Sequence, residues 1–204
     1  MIALVDYGAG NLTSVRKALA AVGAEVWTPA APGELSRAAA AIVPGVGHFD
    51  ATRALDEGWR TAVRALIDAG RPVLGICVGL QWLFEGSVEA PGVPGLGTFT
   101  GTCVRLAGVD PVSLAPLKIP HVGWNSVRFP RPSPLMAGLP DDTQVYFTHS
   151  YAAPVVADTV ATCEYGSRFT AAVERAHVAA VQFHPEKSGP AGLQILRNWL
   201  TRYS

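Results

Sequence analysis

Short apolar runs recur along the first half of the chain, each followed by a stretch whose apolar positions are spaced three and four apart. Ile2-Ala3-Leu4-Val5 predicts a buried first strand. After the turn Asp6-Tyr7-Gly8-Ala9-Gly10-Asn11, a helix is expected from about Leu12 to Val22, ended by Gly23. Glu25-Val26-Trp27 reads as a second strand and Ala40-Ala41-Ile42-Val43 as a third, which runs into the loop Pro44-Gly45-Val46-Gly47-His48-Phe49. A helix from about Glu57 to Ala69, closed by Gly70, precedes a fourth strand, Val73 to Ile76. Buried strands alternating with helices predict an α/β fold with a parallel sheet covered on both faces.

The second half carries a different pattern. Short β segments separated by Gly, Pro and Asp are predicted at Thr102 to Leu106, Val145 to Thr148, Thr159 to Glu164 and Ala171 to Val173. Ala179-Ala180-Val181-Gln182-Phe183 is another buried strand, and a last helix is expected from about Ala191 to Arg202. The Pro/Gly-rich stretch Ala90 to Gly97 reads as a loop inside one domain, not a linker, so residues 1–204 are expected to form a single unit.

Composition narrows the function classes. The chain has 204 residues, 49% hydrophobic and 16% charged, which suits a well-covered sheet. Sixteen basic against sixteen acidic residues leave no electrostatic footprint for nucleic acid or an anionic membrane. No basic segment precedes the first apolar run, so no signal peptide is expected there, and no apolar stretch approaches the roughly 20 residues of a membrane span. Cys77, Cys103 and Cys163, odd in number and widely spaced, fit neither a disulfide framework nor a zinc site, which points to a reducing, cytoplasmic setting; no metal or cofactor is expected. Cys103 and Cys163, in apolar strand-like surroundings, read as inert core thiols.

Cys77 is different, because Gly75-Ile76-Cys77-Val78-Gly79 joins a buried strand to the helical segment Leu80-Gln81-Trp82-Leu83-Phe84. That is the pattern of a nucleophile elbow with sulfur in place of oxygen, projecting its thiol towards solvent. Its glycines are expected to relieve crowding and to tolerate strained backbone angles. A thiol nucleophile needs a base. Among His48, His121, His149, His177 and His184, the last stands out, because His184-Pro185-Glu186 follows a buried strand. Residues two apart on extended backbone point the same way, so Glu186 can hold one ring nitrogen of His184 while the other faces the thiol. A surface turn with a solvated Glu is the plain alternative for that tripeptide. The loop after the third strand, Gly45-Val46-Gly47, would lie at the same carboxyl edge of the sheet. A backbone N–H of Val46 or Gly47, with that of Val78, would then face a developing oxyanion; a tight turn alone would also need those glycines.

These residues resemble a known family. Gly-Ile-Cys-Val-Gly-Leu-Gln at 75–81 with His-Pro-Glu at 184–186 is similar to the class I, triad-type glutamine amidotransferases. More narrowly, Asp6 to Leu12, Pro44 to Phe49, Pro120-His121-Val122-Gly123-Trp124-Asn125, His149-Ser150-Tyr151 and Gln182 to Gly189 resemble the glutaminase subunits of imidazole glycerol phosphate synthases. The resemblance spans essentially the whole chain. It implies a flavodoxin-like, mostly parallel sheet flanked by helices, with a small antiparallel β portion in the second half. It implies hydrolysis of glutamine by Cys77, His184 and Glu186, with Gln81, Gly45 and the backbone of His149, Ser150 and Tyr151 around the substrate. It also implies a (β/α)8-barrel cyclase partner that receives the ammonia and makes imidazole glycerol phosphate and an aminoimidazole carboxamide ribonucleotide. His121, Val122, Trp124, Asn125 and Lys187 would then face that partner. Trp124 would serve as a rigid anchor there, or else as a core tryptophan. A glutaminase serving anthranilate or pyridoxal phosphate synthesis, and a non-catalytic protein on the same fold, stay open at this point.

Overall fold

The computed structural model describes residues 1–109 and 115–201. Its first half is built of β1 (Ile2–Leu4), α1 (Leu12–Ala21), β2 (Val26–Trp27), a tight 3-10 turn over Pro32–Arg37, β3 (Ala40–Val43), α2 (Glu57–Asp68) and β4 (Val73–Ile76). The predicted order and helix limits hold within about a residue. Asn11 caps α1 by accepting from the Ser14 N–H, and Asp56 caps α2 by accepting from Gly58 and Trp59. Gly70, at φ +72°, ends α2 as its sequence position suggests.

Beyond β4 come α3 (Val78–Leu83), β5 (Gly86–Ser87), β6 (Thr102–Arg105), β7 (His121–Val127), β8 (Thr143–His149), β9 (Tyr151–Ala152), β10 (Thr159–Tyr165), β11 (Ser167–Arg175), β12 (Val178–Val181) and α4 (Gly189–Thr201). The main sheet has seven strands in the order β10-β11-β12-β4-β3-β1-β2. β1 to β4 and β12 run parallel, and β10 and β11 extend the sheet as an antiparallel edge. Every residue of β3, β4 and β12 is buried, as expected of strands covered on both faces. α1 packs with α4, while α2 packs on the Pro32–Arg37 turn, β3 and β4. Among the described residues no helix is long and apolar enough to cross a membrane.

The differences from expectation are local. β7 has no counterpart in the predicted elements, because Gly123, Trp124 and Asn125 interrupt any period-two pattern. β5 and β9, two residues each, are below what alternation can signal. The last helix starts at Gly189, two residues before the expected Ala191, and the expected end at Arg202 lies outside the described residues. The stretch Ala90 to Gly97 packs inward through Val93 and Leu96, and Arg60 and Arg64 donate to the carbonyls of Pro94, Gly95 and Leu96.

β12 returns beside β4 with Val181 opposite Ile76, and the Cys77 N–H donates to the Val181 carbonyl at 2.8 Å. The segment after β12 is thereby laid next to the segment after β4. α3 is held equally close to β3. A Cβ on Gly79 would overlap the Val43 carbonyl, and one on Gly75 would lie 2.7 Å from the Gly79 oxygen. Neither glycine has a positive φ, so the elbow needs them for backbone approach and not for strained angles. Replacing Gly79 by Ala should therefore push α3 off β3 and destabilise the protein by roughly 1–3 kcal/mol, read from urea unfolding of the two forms.

Candidate active site

Cys77 itself carries the strain of the elbow. Its φ of +55° and ψ of −108° lie in a region that costs a non-glycine residue about 1–3 kcal/mol, held in place by the ladder on one side and α3 on the other. The thiol does not project into solvent as expected. Cys77 is only 3% exposed and opens instead into a cavity of about 320 Å³, because the strands β8 and β9 close over the elbow.

His184 follows β12 in extended conformation, and Glu186 sits in the tight turn Pro185–Lys187. The ring Nδ1 lies 2.7 Å from Glu186 Oε1, with both side chains 2% exposed. The backbone is pinned from β8: the His184 N–H donates to the Tyr146 carbonyl, and the Ser188 hydroxyl donates to the His184 carbonyl. His184 Nε2 is buried with no conventional hydrogen-bond partner among the described residues, which leaves it to Cys77. Burial opposes protonation of His184, but the Cys77 sulfur and the Glu186 carboxylate outweigh it, and its pKa is pushed up to about 10. The imidazole is thus held as a strong proton acceptor between the thiol and the carboxylate.

The cavity wall gathers Gly47, Val78, Gln81, His149, Ser150 and Tyr151 around Cys77. It also contains His48, one of the histidines weighed as a base, Pro120, from the block expected at the partner, and Glu89 and Thr148, for which no catalytic or binding role was expected. Glu89 accepts from the Phe49 N–H at 2.8 Å and so ties this wall to the loop after β3. Gly47 has φ +88° and reaches the cavity, Val46 is half-buried on the same loop, and Gly45 is set back, with the Tyr7 hydroxyl and Val78 against its Cα. Gln81 is 3% exposed, and its Nε2 donates to the Tyr151 carbonyl at 2.9 Å and to Gln182 Oε1 at 3.1 Å. Gln182 belongs to the matched segment Gln182 to Gly189 but had no role assigned, and Glu89 and Thr148 had no motif; only folding places Gln182 against the thiol and the other two on the cavity wall.

The residues expected at a partner surface divide by strand alternation. β7 pairs with β8 with His121 opposite His149 and Trp124 opposite Tyr146. Val122 and Trp124 point outward, 56% and 55% exposed, so the core alternative for Trp124 does not hold. Trp124 meets Tyr146 edge-on at 6.1 Å, and Lys187 lies over the same Tyr146 ring. His121 and Asn125 point inward instead, since residues one apart on a strand face opposite sides. His121 is 4% exposed and stacked between Phe147 and Tyr165. Its Nδ1 lies 3.1 Å from His149 Nε2, and His149 Nδ1 lies 2.9 Å from the Tyr151 carbonyl. Burial pushes both imidazoles down, His121 to about 4 and His149 to about 3.

A family model described as glutamine amidotransferase class-I matches residues 3–203. The chain belongs to this family, the class I glutamine amidotransferases. Within it, the imidazole glycerol phosphate synthase subunit HisH of Moorella thermoacetica is 46% identical over 202 residues, 97% of this chain and 93% of the relative. The subunit of that name from Thermococcus kodakarensis is 46% identical over 205 residues, 98% of each chain. A crystal structure of a glutamine amidotransferase superposes with a TM-score of 0.74 over 100% of this chain and 99% of its own, at 20% identity, a likeness of fold alone.

The buried neutral histidines bear on stability. Their folded pKa values lie below the ordinary 6.5, so above that pH neither state is protonated and their stabilisation is complete. As pH falls below 6.5 the unfolded chain takes up protons first, and stability is lost down towards pH 4. Each group contributes a slope of at most about 1.4 kcal/mol per pH unit. Urea unfolding at pH 6.5 and 5 should show the loss, below the range in which His184 with its raised pKa acts in the opposite sense, and His149→Asn should make it shallower.

Proposed function

We propose that this chain hydrolyses glutamine to glutamate and ammonia at Cys77 and hands the ammonia to a cyclase subunit, as the glutaminase half of an imidazole glycerol phosphate synthase in histidine biosynthesis. One observation carries the chemistry: a thiol on a strained elbow, backed by a buried His184–Glu186 pair at 2.7 Å, opens into a cavity of about 320 Å³. That volume is at the small end of ligand sites, roughly 300–1,000 Å³, and suits one amino acid.

In this mechanism His184 takes the thiol proton, and the Cys77 sulfur attacks the side-chain amide carbon of glutamine. The carbonyl π pair moves onto oxygen, and the backbone N–H of Val78 with that of Gly47 or Val46 holds the oxyanion. His184 then gives its proton to the leaving nitrogen, so ammonia departs and a thioester remains. A water, deprotonated by His184, adds to the thioester; its collapse returns the thiol and releases glutamate. Glu186 keeps the imidazole oriented and stabilises its cation throughout. Gln81 and the backbone at His149, Ser150 and Tyr151 bound the substrate. Three free cysteines fit a reducing cytoplasm.

Ammonia released into water would be protonated and lost as a nucleophile, so a partner should cover the site. The outward face of β7 supplies a surface for it: Val122 and Trp124 are exposed apolar side chains beside Tyr146 and Lys187. The cyclase would form imidazole glycerol phosphate and an aminoimidazole carboxamide ribonucleotide there.

In the complex with its cyclase, Cys77→Ala should abolish glutamine-driven synthesis while ammonium salts still support it. Loss of both with the complex intact would contradict the proposal. Trp124→Ala should weaken the complex by about 2 kcal/mol or more, the scale of an interface anchor, measured by titration calorimetry. Co-purification with a partner other than a barrel cyclase would instead assign the ammonia to another acceptor.

A further inference from the structure

One polar side chain against the Cys77 sulfur has no part in that mechanism. Gln182 is fully buried, and its Nε2 lies 3.6 Å from Cys77 Sγ, an ordinary N–H···S separation. Which end of the amide faces the sulfur decides its effect, because an N–H stabilises a thiolate whereas a carbonyl oxygen would repel it. The surrounding partners fix the answer. The Tyr151 carbonyl can only accept, so the Gln81 atom 2.9 Å from it is the amide nitrogen. That nitrogen also lies 3.1 Å from Gln182, so the Gln182 atom facing it is the acceptor, Oε1. The Gln182 NH2 is then turned to Cys77. From the other side His149 Nδ1 donates to the same Tyr151 carbonyl, which closes the pattern consistently.

We propose that Gln182 is a positioning residue for the nucleophile: its N–H, held in one orientation by the chain Tyr151 carbonyl–Gln81–Gln182, stabilises the Cys77 thiolate and aims it at the substrate carbon. This rests on Cys77 being the nucleophile of the reaction proposed above. It adds to the site a second stabiliser of negative charge on sulfur, independent of His184. The geometry is set before substrate arrives, since Gln182 is next to Cys77 through the pairing of Val181 with Ile76.

The test is the pH dependence of Cys77 alkylation by iodoacetamide in the full chain, followed at the Cys77 peptide by mass spectrometry. In Gln182→Met the midpoint should rise by about one pH unit, so that alkylation on the rising limb of the profile, below both midpoints, slows about tenfold. In the complex, kcat for glutamine should fall with little change in KM. A purely structural role would alter the plateau rate by loosening the site and leave the midpoint in place, and that result overturns the proposal. Gln182→Asn keeps an amide but draws it back from the sulfur by one methylene. It should shift the midpoint in the same direction, and it decides the matter if the Met variant does not unfold cooperatively. The underlying reaction is read separately: glutamine turnover that survives Cys77→Ala overturns the glutaminase mechanism, whatever Gln182 does to the thiol.

Discussion

The parallel ladder between β4 and β12 is the contact on which the site depends. It joins segments over a hundred residues apart, and it sets Val181 opposite Ile76. Beyond the last paired residues, each strand delivers its own chemistry to the same edge: Cys77 from one, Gln182 and His184 from the other. The backbone bond from Cys77 to Val181 is part of the same ladder. A slip of one residue would turn His184 to the opposite face of the sheet and leave the thiol without a base. Because both strands are buried on both faces, such a slip would also press each side chain into packing shaped for another, so core packing guards the catalytic register.

Two features draw on that rigidity. Cys77 keeps a positive φ that a flexible loop would relax, and Gly75 and Gly79 let β4, α3 and the end of β3 approach at backbone distance. His184 and Glu186, almost fully enclosed, form an ion pair that is costly to bury unless both partners are held in place. Here the His184 backbone is bonded to β8 and to Ser188, which keeps the ring where Glu186 and Cys77 can both reach it.

The β7–β8 pair turns one face to the cavity and the other to solvent. Its inner face, through His121 and His149, supports the wall that carries Tyr151, Gln81 and Gln182. Its outer face presents Val122, Trp124 and Tyr146. Neutral His121 and His149 keep that inner face free of charge, so its hydrogen bonds run in one fixed direction from Asn125 to the Tyr151 carbonyl.

Local chemistry made much of this visible in the chain itself. Apolar runs bounded by caps and by Gly70 defined β1 to β4 and the helices α1 and α2. The spacing Gly75-x-Cys77-x-Gly79 marked the elbow, and His184 with Glu186 two positions on marked the base and its orienter, because both patterns depend only on neighbouring residues. What the sequence could not decide needs strands to meet. The burial of Cys77 depends on β8 and β9 closing over it. The split of His121 and Asn125 from Val122 and Trp124 depends on which face of β7 meets the core. The orientation of the Gln182 amide depends on a carbonyl at Tyr151 that comes near only after three distant segments are packed. Each of these is set by non-local register, which leaves no periodic trace in the sequence and is fixed only when the sheet and the hairpin bury their inner faces together.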